Sequence, residues 1–430
     1  MLEKLREKNP LPHGTVMVGG GLAANGLTMF AFLFASKRVL SEDSYSVLGV
    51  LWGLVFLVGP GFFLPLEQEV SRALASRRAR GVGARPIIYR AAKLGMGLAG
   101  VLLILTALAA GRLADEVFRG DKLFVLAFGL SFVAYGIELL VRGMLSGTGR
   151  FSTYAVVLGL EGVSRFLLAL VLVIAGVTTA GWFGMALAVG PFLAALFVLL
   201  PGQRPTLAEG PDAPMAELST SLGWLLMGSV LTLGLMNIGP ALIESIGGED
   251  KALAGRFLNT LLVARIPLFL FQAVQAALLP AMAEHAGAGR YGEFRQSMKQ
   301  LMLAVAVVAA LGLTGSFLLG PLVAQILLGE AEPLGRVHFA LLATSMALFM
   351  GALALAQALI ALHHQRAVAL IWAAAAITFI AALFSGADAL VRVETSLLAA
   401  SMVAAFGLLV LLRTDHRWSD ARNKAMSSTS

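Results

Sequence analysis

The residues able to do chemistry in this sequence are charges set inside long apolar runs. Glu161 and Arg165 lie four apart in FSTYAVVLGLEGVSRFLLALVLVI, and Glu138 and Arg142 repeat that spacing one run earlier. On a helix, side chains four apart share a face. Arg265 has no acidic neighbour in its own run, RIPLFLFQAVQAALLPAM, and Gln272 and Gln275 follow it on or near the same face. A charge at mid-bilayer costs about 2.5–3.5 kcal/mol on insertion scales, so each needs a partner or a watery cavity. Two readings follow. In one, Arg165 and Arg265, from opposite halves of the chain, face a central cavity and bind an anion, because guanidinium forks match phosphate and diphosphate oxygens. Glu161, Gln272 and Gln275 then complete the cavity. In the other, Glu161–Arg165 and Glu138–Arg142 are internal ion pairs that neutralise one another and pin helices together. Glu67 and Glu69 close another apolar run and, with Glu138 and Arg142, form a candidate inner gate. The alternative for Glu67 and Glu69 is a simple interfacial cap.

The elements that must position these residues are membrane-spanning helices. The 430 residues are 58% hydrophobic and only 13% charged, with a mean hydropathy of +0.84. Soluble domains carry roughly 45–50% apolar and about 25% charged residues. The excess falls in runs of about 20 residues, each enough to cross a bilayer as a helix. The expected spans are 14–36, 44–66, 87–110, 122–146, 150–175, 180–201, 219–246, 252–282, 297–320, 335–361, 366–385 and 391–412. The first of these is read as a spanning helix and not a signal peptide, since it is long and ends without a small-residue cleavage site.

The fold class is therefore an all-α polytopic membrane protein with about twelve transmembrane helices. A Pro-rich, acidic segment, PGQRPTLAEGPDAPMAEL at 201–218, is the main interior break in composition. It divides the chain into a six-helix lobe at 1–200, a cytoplasmic linker at 201–218, a second six-helix lobe at 219–412 and a tail at 413–430. The net charge of +7 reflects Lys and Arg gathered in cytoplasmic loops, not nucleic-acid binding. That rule places both termini in the cytoplasm and puts the basic loop 67–93, with Arg72, Arg77, Arg78, Arg80 and Arg85, on the inside.

The two halves echo each other. Gly59–Gly83, with Pro60 and Pro65 leading into Glu67, Gln68 and Glu69, is matched by Arg265–Arg290 about 207 residues on. RGMLSGTGRFSTYAVV at 142–157 is matched by QALIALHHQRAVALIW at 357–372, about 215 residues on. Same-orientation repeats imply an axis along the membrane normal and pseudo-symmetric lobes. Prolines 60, 65, 191, 240 and 267 lie within spans, where they permit bends. Asn25 and Asn237 are expected to hydrogen-bond between helices. His363 and His364 lack further ligands at metal-binding spacing.

Several classes are excluded. The chain has no phosphate-binding G-x-x-x-x-G-K-[ST] loop, no H-E-x-x-H, no nucleophile elbow and no K⁺-channel filter motif. It contains no cysteine, so thiolate and disulfide chemistry are absent. A transporter remains, not an enzyme. It has no cofactor and is driven by the substrate's own gradient or by a coupling ion, H⁺ or Na⁺.

PLEQEVSRALASRRARG and RGMLSGTGRFSTYAVVLGLEGVSR resemble segments of bacterial polysaccharide-biosynthesis membrane proteins. These form the oligosaccharide-flippase branch of the multidrug/oligosaccharidyl-lipid/polysaccharide exporter superfamily. The resemblance implies a V-shaped pair of six-helix lobes around a cationic cavity in the bacterial cytoplasmic membrane. It implies flipping of a polyprenyl-diphosphate-linked oligosaccharide between leaflets by alternating access. Membrane lipids, a polysaccharide polymerase and glycosyltransferases are the implied partners. The lipid II flippases of the superfamily carry cavity arginines in their first helices, whereas residues 15–36 are uncharged here. The alternative is an ion-coupled drug or small-molecule antiporter of the same superfamily or of the major facilitator type. A membrane glycosyltransferase is disfavoured, because no large outer loop is present.

Overall fold

A computed structural model describes residues 15–203, 205, 208–212, 222–248, 250, 252–268, 271, 290–362, 364–385 and 388–415. The apolar runs become α1 (Thr15–Val39), α2 (Glu42–Ala79), α3 (Arg85–Leu108), α4 (Lys122–Gly147), α5 (Phe151–Ile174) and α6 (Ala180–Leu196). They continue as α7 (Leu222–Asn237), α8 (Gly239–Ile246), α9 (Leu253–Ala264), α10 (Tyr291–Leu328), α11 (Arg336–Ala361), α12 (Gln365–Ala382) and α13 (Ala389–Thr414). Every regular element among the described residues is helical. Ten are long and apolar enough to cross a membrane, and the bent pair α7–α8 passes the same test when taken as one broken span. The expected span 252–282 is described only in its first part. Large apolar side chains such as Ile104, Leu108, Leu311, Ile326, Phe384 and Phe406 are exposed, which suits helices solvated by lipid. The protein is a multi-pass membrane protein.

Three boundaries differ from those read from hydropathy. Helix α2 does not end near residue 66 but runs to Ala79, so Arg72, Arg77 and Arg78 are helical and only residues 80–84 turn the chain. Pro60 and Pro65 sit inside α2 without ending it. Helix α10 spans 291–328, well beyond 297–320 at both ends, and stops where Gly329 takes a left-handed conformation (φ 62°). The run 219–246 is not one straight helix, because α7 and α8 meet at 53° across Ile238.

Helix α2 is the element that joins the rest. On one side it packs along α4 and touches α3 and α6; on the other it meets α7, α8 and α9. Helix α1 lies along α5, and α4 and α5 both pack on α6. Later in the chain, α11 packs on α10 and α13, and α12 on α13 and α7. The α2–α4 contact depends on missing side chains. A Cβ at Gly143 would lie 2.8 Å from the Glu67 carbonyl oxygen, and one at Gly147 would lie 2.8 Å from that of Ser71. Backbones this close are what small residues permit at helix interfaces.

The two ends of the bundle have different chemistry. At the end holding residues 80–84, Arg77 is buried and donates to the carbonyls of Gly83 (2.8 Å), Pro211 (2.9 Å) and Asp212 (3.1 Å). Arg85 pairs with Glu209 and Arg90 with Asp212. The acidic segment after α6 is thus docked on the α2–α3 turn, at what is called here the basic end. At the opposite end, early and late helices are tied by Arg119–Glu244 (2.6 Å) and Lys37–Glu330 (3.5 Å). Asn259 bridges these elements, accepting from Tyr45 (2.7 Å) and donating to Glu330 (2.7 Å).

Candidate functional site

Helix α5 brings Glu161 and Arg165 to one face, as their spacing requires, and the two form a buried ion pair. Asn25 of α1 donates to Glu161 Oε2 (3.1 Å) and Tyr135 of α4 to Glu161 Oε1 (3.0 Å). The Arg165 guanidinium also lies 3.4 Å from the Tyr135 hydroxyl and 5.3 Å from the Phe56 ring centroid. Gly190 of α6 leaves the room its aliphatic stem occupies. Arg165 therefore does not line a cavity in this structure. It is held within the packing of α2, α4, α5 and α6.

The gate residues split into two groups. Arg142 Nη2 is 3.2 Å from Glu67 Oε2 and donates to the Tyr154 hydroxyl (3.0 Å), which in turn donates to Glu67 Oε1 (2.8 Å). Arg142 Nη1 is 3.6 Å from Glu138. Glu69 turns away to Arg72, which donates twice to its Oε2. Glu67, Glu138 and Arg142 are thus one cluster tying α2, α4 and α5, and Glu69 is not part of it. Tyr154 was missed from sequence. It sits in the quoted motif, but nothing in its spacing announced that it would close this ring.

Arg265 behaves differently from every paired arginine. It caps α9 and is 6% exposed, and among the described residues its side chain makes one hydrogen bond, donating to Asn237 Oδ1 (3.0 Å) where α7 gives way to α8. Its Nε and Nη2 are buried without a hydrogen-bond partner, and no described carboxylate pairs with it. Asn237 is anchored in turn by donating to the Leu233 carbonyl (2.9 Å). The expected neighbours Gln272 and Gln275 lie outside the described residues, as does His363. His364 pairs with Asp415. Among the described residues no cluster could hold a metal ion.

One turn from Arg265, between Met236 and Leu268, begins an open-sided cavity of about 250 Å³ lined by α2, α7, α11 and α12. Its polar lining is Gln68, Ser229, Thr232, Gln357 and Gln365; its broad surfaces are Trp224 and Trp372. No carboxylate or basic side chain is among the described residues that line it. Ser229 Oγ is buried and unpartnered. Gln357, Gln365 and Trp372 stand in the second of the repeated motifs. That repeat was visible in sequence, but the convergence of its residues with Gln68, 289 positions before Gln357, was not.

No protein-family model matches the chain. Among curated proteins, uncharacterized proteins of Mycobacterium tuberculosis and Mycobacterium bovis are each 26% identical over 385 residues, covering 84% of this chain and 83% of theirs. Among solved structures, an inward-facing multidrug resistance MATE family transporter of the MOP superfamily superposes with a TM-score of 0.71. That match has 12% identity and covers 94% of this chain and 96% of the other. An outward-facing MATE family transporter gives 0.70 at 14% identity, covering 95% of each chain. A eukaryotic MATE transporter gives 0.66 at 15% identity, over 95% of this chain and 97% of its own. The chain has the MATE-type fold; at these identities the likeness concerns the fold alone.

Proposed function

We propose that the protein is a transporter of the MOP type that flips a polyprenyl-diphosphate-linked oligosaccharide across the cytoplasmic membrane. The observation that carries this reading is the chemistry around Arg265. A buried guanidinium with two unsatisfied donor nitrogens and no carboxylate among the described residues suits an anionic group that supplies the missing acceptors. The neighbouring cavity offers amides and hydroxyls to hydroxyl-rich ligands. None of the described lining residues is acidic, which favours a polar neutral head over a group that needs a counter-carboxylate. The positive-inside rule puts the basic end at the cytoplasmic face. The ion pairs at the opposite end then seal the outer side, so the substrate head is taken up from within while its polyprenyl tail stays in lipid.

The test uses the full chain in proteoliposomes with a fluorescent polyprenyl-diphosphate oligosaccharide and a membrane-impermeant quencher. Wild type should move the probe between leaflets, and Arg265→Met should lose at least about tenfold in rate, the equivalent of roughly 1.4 kcal/mol. The same change should leave folding stability equal or raised by about 1–3 kcal/mol, because it removes buried unsatisfied donors. Gradient-driven uptake of a cationic dye, with no movement of the glycolipid, would instead identify a drug antiporter.

A further inference from the structure

Three carboxyl groups and two guanidiniums meet where α2, α4 and α5 pack together: Glu67, Glu138 and Glu161 against Arg142 and Arg165. With every group ionised, this low-dielectric region would hold one uncompensated negative charge, a costly arrangement in a membrane. The geometry says where the excess resides. Glu161 is bonded by Arg165, Asn25 and Tyr135. Glu67 has Tyr154 and the nearer end of Arg142. Glu138 is fully buried, neither of its oxygens accepts a hydrogen bond, and Arg142 approaches it only to 3.6 Å. The groups facing it are Glu67 from α2, Tyr135 and Arg142 from α4, and Arg165 from α5. Helix α6 carries no titratable side chain, and those of α3 (Arg85, Tyr89, Arg90 and Lys93) lie toward the basic end.

We propose that Glu138 is the protein's proton-carrying site, neutral in this conformation, and that Arg142 reads its state. This rests on the transport reading above and names its coupling ion. A neutral Glu138 makes no claim on Arg142, which stays with Glu67 and Tyr154 and so ties α2 to α5. When the O–H bond of Glu138 breaks and its proton passes to water, the new carboxylate attracts Arg142 along the same helix face. Arg142 then leaves Glu67, and the α2–α5 tie loosens. Re-protonation reverses the exchange. One proton is bound and released per cycle, and no other bond is made or broken. Because α2 joins the early helices to α7, α8 and α9, a change in its hold on α5 reaches the helices around the cavity.

Infrared difference spectroscopy of the full chain in lipid nanodiscs, stepped through pH, tests this without any substrate. Wild type should show the C=O band of a protonated carboxylic acid. Glu138→Gln should lose that band, Glu138→Asp should shift it, and Glu67→Gln should retain it. A wild type without the band, or a band that survives in Glu138→Gln, overturns the assignment. So does Na⁺-dependent thermal protection that Glu138→Gln abolishes in a protein lacking the acid band. In proteoliposomes, a pH gradient should accelerate flipping by wild type and have no effect on Glu138→Gln. A gradient response that persists in Glu138→Gln also overturns it. Failure of wild type to flip the glycolipid, with the band present and Glu138-dependent, removes the transport reading and leaves the proton site standing.

Discussion

Replacing Glu161 by Gln tests whether Arg165 is a structural cation. The Arg165 side chain is 2% exposed and that of Glu161 is 5% exposed, so neither charge can be rescued by water. Without the carboxylate, Arg165 keeps a neutral amide oxygen at position 161, the Tyr135 hydroxyl at 3.4 Å and the Phe56 ring at 5.3 Å, but no counter-charge. Removing one partner of a buried pair typically costs about 3–5 kcal/mol. A desolvated cation–π contact is worth about 2 kcal/mol and is already present in the wild type, so it does not offset that loss. The reverse change, Arg165→Gln, should cost less, because Glu161 keeps Asn25 and Tyr135 as donors and can also take up a proton. The double variant Glu161→Gln/Arg165→Gln removes both charges and should return to within about 1 kcal/mol of wild type, since neutral replacement of a buried pair is often tolerated. Reversible unfolding in mixed detergent micelles gives all four stabilities and a coupling energy of about 3 kcal/mol or more, at or above the top of the range usual for contacting residues. Single costs below about 1 kcal/mol, or costs that simply add, would refute the reasoning. Glycolipid flipping supplies a second criterion. A double variant that is stable yet fails to flip would return Arg165 to the substrate.

Two further outcomes follow. The chain has no cysteine, and α9 lies so close to α2 that a Cβ at Gly255 would sit 3.3 Å from Ser46 Cα, so a bridge forms once the two backbones part slightly to disulfide spacing. Ser46→Cys/Gly255→Cys should cross-link α2 to α9, stop flipping when oxidised and recover with reductant; flipping that continues in the oxidised protein would show that the opposite end need not open. Arg77→Ala should release the carbonyls of Gly83, Pro211 and Asp212 and speed protease cleavage within 201–218 by tenfold or so, because cleavage follows the population of the undocked segment and a charge-assisted hydrogen bond is worth about 1.5–3 kcal/mol. An unchanged cleavage rate would mean that Arg77 does not hold the segment.

Much of the architecture was legible in the residues themselves. Hydropathy located the crossings because each must shield its own backbone in lipid, and four-residue spacing brought Glu161 to Arg165 and Glu138 to Arg142. The ends of α2 and α10 were not legible, since hydropathy reports where a chain leaves the lipid and a helix can continue past that depth on its own hydrogen bonds. The 53° bend after Asn237 has a visible cause in Gly239 and Pro240, but its angle depends on the helices packed around it.

Sequence alone determined that this is an all-helical membrane protein whose buried charges demand partners, because composition and periodicity set the cost of every exposed polar group in lipid. Tertiary structure decided which partner each charge received. Periodicity tells which face of a helix a residue occupies and nothing about what lies across from it. Arg165 found a carboxylate on its own helix and Arg142 was shared between two acids. Among the described residues the Arg265 side chain bonds only to Asn237, beside a cavity assembled from Gln68, Trp224, Gln357 and Trp372, residues that come from four helices and meet only when those helices pack.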